Sequence, residues 1–201
     1  MLAQKGQQGV TLIELMIGIV IVSMLMALGV PAFSRMLQNS QVRSAAESLV
    51  NGLTAARNEA LRLNSEVRFS ITDNTGQVAW NITCVTETAV CPAGALQTRA
   101  ANEGGGNARI GISTAASIPA SDYSVALASG AGLTSGGGVK FTNLGTVNGI
   151  DGENDITRID VTNSKDAGAR RLVIMISPSG LIRMCDPMLN RSANPQGCVS
   201  S

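Results

Sequence analysis

From Leu15 to Phe33 the chain runs nineteen residues without a charge, and Ser23 is the one side-chain hydroxyl within the run. A stretch of that length spans, or nearly spans, the hydrocarbon of a bilayer as a helix. One carboxylate, Glu14, stands directly in front of it. An ionised carboxylate at membrane depth costs at least ~2.5 kcal/mol on insertion scales, so Glu14 requires a partner or a task. A secretory signal peptide accounts for the run poorly. The apolar stretch is longer than a signal core, and no small-residue cleavage site follows it before an amphipathic pattern begins near Arg35.

That amphipathic pattern continues the helix. Val42, Ala45, Ala46, Leu49, Leu53, Ala56, Ala60 and Leu63 recur at spacings of three and four, which predicts one apolar stripe along residues 35–63. Arg43/Glu47 and Arg62/Glu66 stand four apart and read as solvated helix pairs. If helical throughout, residues 10–63 would extend about 80 Å. After Asn64-Ser65 the period becomes two. Val67, Phe69 and Ile71 alternate with polar residues, Asp73–Gly76 supplies a turn, and Val78, Trp80 and Ile82 alternate again, which predicts a hairpin. Residues 85–108 read as a loop. Further strands are expected at Ala108–Ser113, Tyr123–Ala128, Val139–Thr142, Thr157–Thr162, Arg171–Ile176 and Leu181–Cys185. One long helix followed by mostly antiparallel strands is an α+β class, with β-rich chain over 66–201.

Composition bears on chemistry. The chain has 201 residues, no histidine, and 15 basic against 14 acidic residues. Lack of histidine removes the commonest general base and the Ser-His and Cys-His nucleophile pairs, which weighs against an enzyme. No cofactor is implied. Near-neutral net charge gives the whole molecule no electrostatic pull toward nucleic acid or acidic lipid. The cysteines fall as Cys84/Cys91 and Cys185/Cys198 among turn formers, without C-x-x-C spacing. Disulfides in an oxidising compartment fit better than zinc, and loop closure favours the two local pairs among the three connectivities.

Two further stretches bear on binding. Gly130–Gly136 has the wrong spacing for a phosphate loop and reads as a turn. Asp151, Glu153 and Asp155 offer oxygen ligands to Ca²⁺, but Thr162 stands where an EF-hand needs its bidentate acid, so a solvated turn is expected there and no metal. Between Arg170 and Arg191 the chain carries Arg170, Arg171, Arg183 and Arg191 against Asp186 alone, a local excess of +3. Exposed strand and loop charges are the reading favoured by overall neutrality. A DNA-binding patch is the alternative, although stacking aromatics are missing.

The junction Gln-Gln-Gly-Val-Thr-Leu-Ile-Glu-Leu, residues 7–15, resembles the leader and start of type IV prepilins and type II secretion pseudopilins. The resemblance implies a leader at 1–9, cut after Gly9 by a membrane prepilin peptidase that also methylates the new amino terminus, here Val10. Family members usually begin their mature chain with Phe or Met. It implies an assembly and transmembrane helix at 10–34, in which Glu14 pairs with the amino terminus of a neighbouring subunit and Pro31 loosens the helix. Pro31 removes one helical hydrogen bond, which predicts a kink or local melting. Residues 35–201 would then be a periplasmic pilin domain with the α+β pilin fold. Gly180-Leu-Ile-Arg183-Met-Cys185-Asp-Pro187 is similar to the C-terminal signature of FimT/FimU minor pilins, with Leu181 where the family's first arginine would stand. The role implied is that of a minor pilin in pilus initiation or the tip complex. Its partners are major and minor pilins and the inner membrane, and its final place is the fibre at the cell surface. DNA uptake through the C-terminal arginines and a role as a minor pseudopilin of type II secretion are the alternatives.

Overall fold

A computed structural model describes residues 9–103, 105–115, 123–133, 137–147 and 155–199, with side chains at 28–32 and 199 left aside. The chain divides into two units, Met1–Leu37 and Gln38–Ser201. Helix α1 (Leu12–Leu63) contributes to both, and its assignment runs through Pro31 without a break, so the local melting expected there is not found.

In the first unit the described apolar side chains of α1 lie open. Leu12 is 79 % exposed and Met24 72 %, and the others from Ile13 to Met26 are likewise exposed. Ser23 does not interrupt this surface, because its hydroxyl donates to the Ile19 carbonyl one turn back at 2.7 Å.

In the second unit the predicted stripe is the core face of α1. Val42, Ala45, Ala46, Leu49, Leu53, Ala56 and Ala60 are fully buried. Alanines on that face let the sheet approach closely, and Gly52 carries this furthest. A Cβ there would lie 2.9 Å from ring atoms of both Phe69 and Trp80, whose rings sit 5.6 Å apart as a tilted pair. Trp80 satisfies its indole N–H on the Ser48 hydroxyl at 3.3 Å. The helix ends as its sequence foretells. Asn64 takes a left-handed conformation (φ 46°) and Ser65 donates to the Ala60 carbonyl at 3.2 Å, the six-to-one bond of a Schellman cap. Arg43 pairs with Glu47 at 2.8 Å as expected. Arg62 does not pair with Glu66 but with Glu59 at 2.7 Å, because the helix has ended before Glu66 and only the preceding turn lies within reach.

Among the described residues nine strands follow: β1 (Val67–Ile71), β2 (Trp80–Cys84), β3 (Ala95–Arg99), β4 (Ala108–Ser113), β5 (Gly138–Phe141), β6 (Arg158–Asn163), β7 (Leu172–Ile176), β8 (Ile182–Asn190) and β9 (Gly197–Val199). They form a four-stranded sheet ordered β3-β2-β1-β5 and a five-stranded sheet ordered β4-β6-β7-β8-β9. All pairings are antiparallel except the parallel β8-β9. Both sheets contribute to one core, in which Phe69, Phe141, Ile110, Ile159 and Ile174 pack with the α1 stripe. The architecture is therefore α+β, as the pattern of periods predicts.

Three expectations change. The stretch 85–108 is not all loop, since β3 forms an outer strand on β2 within it. Tyr123–Ala128 is not a strand. Its backbone is held by side chains of β6 and of Arg171, just before β7, rather than by a ladder: Arg158 donates to the Val125 carbonyl at 2.8 Å, Arg171 to the Tyr123 carbonyl, and the Leu127 N–H donates to Asp160 at 3.0 Å. The C-terminal strand runs past Cys185 and through Pro187. That is tolerated because the β7 ladder ends at Cys185, so no β7 carbonyl awaits a donor from residue 187.

The turn between β1 and β2 is tied by Asp73. One of its carboxylate oxygens accepts from the Thr75 N–H, the Thr75 hydroxyl and the Gln77 N–H at 2.7–2.9 Å. Burial alone would raise this carboxyl, but the hydrogen bonds from Thr75 and Gln77 outweigh it and hold the pKa below the ordinary 3.8. A carboxyl lowered by folding contributes stability that is complete above its unfolded value and lost as pH falls through its folded one. Asp73→Asn should therefore melt below wild type at pH 6, and the gap in Tm should narrow as the pH is taken below 3.8.

Candidate functional site

The N-terminal segment gives Glu14 a local setting that periodicity does not reveal. Thr11 precedes the first helical residue, and its hydroxyl lies 3.4 Å from the Glu14 N–H. Thr11-Leu-Ile-Glu14 thus has the S/T-x-x-E spacing of a capping box, with a carboxylate in the first turn where the helix dipole favours it. The spacing was readable in the sequence and is masked there by the membrane argument. Among the described residues Glu14 has no ion-pair partner. Gly9 and Val10 precede the helix outside any regular element: Val10 is exposed, and a Cβ on Gly9 would meet nothing within 4 Å. Of the leader expected at residues 1–9, residues 1–8 lie outside the described residues. Among the described residues no helix is long and apolar enough to cross a membrane, and the apolar run continues through 28–32, whose side chains lie outside that set.

Both local disulfides are formed, Cys84–Cys91 and Cys185–Cys198. The second ties the middle of β8 to β9, so the last described residues are fastened to the five-stranded sheet both by a covalent bond and by the parallel ladder.

The four C-terminal arginines are not a uniform exposed patch. Arg171, largely buried, donates to Asp160 at 2.6 Å, and the same carboxylate takes two bonds from the buried Arg158 at 2.6 and 2.8 Å. Arg158 also lies over the Tyr123 ring, 5.1 Å from its centroid. Arg170 is half exposed and bonds Asp186, which is buried and also accepts from the Met188 N–H. Arg183 spends one guanidinium nitrogen on the carbonyls of Pro195 and Gly197, at 3.0 and 2.6 Å, while its Nη1 is shielded from water and has no acceptor. Burial, and then the charge of Arg191, lower the pKa of Arg183. Arg191 is exposed. The reading of all four as exposed charges therefore holds for Arg191 and, by half, for Arg170. It fails for Arg171 and Arg183, because buried Asp160 and the C-terminal carbonyls claim them.

Gly180 of the same signature has a backbone reason. It sits at φ +76°, and a Cβ there would fall 1.9 Å from the Gly145 carbonyl oxygen. Gly180→Ala should lower unfolding stability by at least about 2 kcal/mol, read from the denaturation midpoint, since both the left-handed backbone and the contact penalise a side chain.

Of the acidic stretch considered for Ca²⁺, Asp151 and Glu153 lie outside the described residues. Asp155 is half-buried rather than solvated, one oxygen accepting the Lys140 N–H at 3.0 Å, and burial raises its pKa against the pull of that bond and of Arg68 and Lys140. Among the described residues no three potential metal-ligating side chains gather. Gly130 and Gly132 occupy a turn, as expected, and residues 134–136 of that stretch lie outside the described set.

No curated protein matches the chain. Two crystal forms of the type IV minor pilin FimU of Pseudomonas aeruginosa match by structure. One is 15 % identical over 75 % of this chain and 92 % of that one, with a TM-score of 0.48. The other is 16 % identical over 73 % and 94 %, with a TM-score of 0.44. At the N-terminus, residues 4–30 match the family model described as the prokaryotic N-terminal methylation motif. The segment that holds Gly9, Val10, Thr11 and Glu14 therefore carries the prokaryotic N-terminal methylation motif.

Proposed function

We propose that the chain is a minor type IV pilin, a non-enzymatic subunit of pilus assembly at initiation or the tip. It is inserted in the inner membrane by residues 10–34, cut between Gly9 and Val10 by the prokaryotic prepilin peptidase, and methylated on Val10. The observation that carries this reading is the coincidence of the methylation motif with a helix whose apolar side chains from Leu12 to Met26 are exposed. Such a surface is stable in lipid, and it leaves lipid only when neighbouring subunits bury it. The disulfides agree with a domain, residues 35–201, on the oxidising side of that membrane.

The test is processing followed by incorporation. Wild-type protein from cells with the peptidase should have the intact mass of residues 10–201 plus one methyl group. Gly9→Val should keep residues 1–9 and stay in the membrane fraction. Sheared fibres should contain the wild-type chain. Wild-type protein that retains its first nine residues in such cells would overturn the proposal, and recovery with secretion pseudopilins instead of fibres would move it to type II secretion.

A further inference from the structure

Between the start of the 123–128 segment, the β7-β8 turn and the chain's last loop lies a cleft of about 280 Å³. Its walls combine apolar surface, from Met175, Ile176, Pro178 and Leu181, with Arg183 and Arg191. The two guanidinium groups repel each other, and among the described residues no carboxylate pairs with either. The surroundings add positive charge. Tyr123, also in the cleft wall, carries Arg158 against its ring, and the single carboxylate of Asp160 answers both Arg158 and Arg171. Nη1 of Arg183 is closed to solvent and has no acceptor within the described structure, so an incoming oxygen would give a shielded donor the partner it lacks.

We propose that this cleft binds a single carboxylate on a short apolar stem, the carboxylate bridging Arg191 and Arg183 while the stem lies on Met175, Ile176 and Leu181. Reaching Nη1, which is closed to solvent, takes a side-chain rotamer change in the cleft wall. A carboxylate suits the site better than an extended polyanion, because Arg183 and Arg191 are the charged groups of a cleft whose remaining lining is largely apolar. The carboxylate has two sources, an acidic side chain of another polypeptide or a free small acid. The inference does not depend on the processing of the N-terminus.

The test is arginine labelling of the full chain in detergent micelles with phenylglyoxal, read residue by residue by mass spectrometry at constant ionic strength. Three probes are used against a chloride control: sodium butyrate, a capped Leu-Glu-Leu peptide, and a short DNA duplex. Butyrate or the peptide should slow labelling of Arg191 and Arg183 at least threefold and leave Arg35 and Arg109 unchanged. Arg191→Gln, an exposed replacement, should abolish the protection of Arg183. Protection by the peptide at a tenfold lower concentration than butyrate identifies a polypeptide carboxylate, and equal potency identifies a free acid. No protection by either carboxylate, protection by DNA alone, or undiminished protection of Arg183 in the Arg191→Gln chain would each overturn the proposal.

Discussion

Asp160→Ala should cost ~3–5 kcal/mol of unfolding free energy, because it removes one partner of a buried charge cluster and leaves the rest. Asp160 has no exposed surface, and Arg158 is 3 % exposed. The carboxylate accepts from Arg158 twice, from Arg171 once and from the Leu127 N–H. Truncation leaves the guanidinium groups of Arg158 and Arg171 without their carboxylate and the Leu127 N–H without its acceptor in a largely buried site, and it removes one of the ties that hold the 123–128 segment. Asp160→Asn keeps an acceptor oxygen but not the charge, so its cost should lie between wild type and Ala. Denaturant titration of the three chains in the same detergent checks the order. An Ala variant within about 1 kcal/mol of wild type would mean that solvent enters and that the cluster is worth no more than a surface pair.

The same cluster explains why one predicted strand does not exist. Tyr123, Val125 and Leu127 alternate with small or polar residues as a half-buried strand should, and nothing in that stretch says that its hydrogen bonds will go to side chains. The information lies some 30 residues later, in Arg158-x-Asp160, which reads as an ordinary polar pair on a strand until the fold buries it. The outer strand β3 is illegible for the converse reason. β3 is Ala-Leu-Gln-Thr-Arg, with no buried residue and no apolar alternation, and its strand state comes from the free edge of β2. Elements that carry their own burial signal were readable to within a residue or two. The stripe from Val42 to Ala60 is fully buried, and β1 alternates buried and half-buried side chains as its sequence does. Both disulfides join the partners that short loops favour.

The C-terminal signature shows how a residue pattern can be recognised and its purpose still depend on the fold. Gly180 is required where the β7-β8 turn passes the Gly145 carbonyl, and Arg183 fastens the loop before β9 through two carbonyls. Those roles account for a glycine and an arginine at this spacing without any ligand. What they leave unexplained is Nη1 of Arg183 and the neighbouring Arg191, and the cleft proposal rests on that remainder.

For Glu14, two physical roles make different predictions. If the carboxylate chiefly completes the cap begun by Thr11, Glu14→Gln should serve nearly as well, since glutamine at that position also closes a capping box. If it chiefly neutralises the Val10 ammonium created by cleavage, charge is essential, and Glu14→Gln should fail as badly as Glu14→Ala. The second outcome is expected. An ammonium and a carboxylate each cost kilocalories in hydrocarbon, whereas a helix cap is worth ~1 kcal/mol. Both variants should insert in the membrane and lose residues 1–9 normally, yet enter sheared fibres at least tenfold less than wild type, as measured by quantitative immunoblot. A subunit docked out of register would bury the carboxylate and the ammonium apart, so the pair would act as a register check between neighbouring helices. Thr11→Ala is the complementary measurement: it loosens the cap and keeps the charge, and should lower incorporation by no more than about twofold.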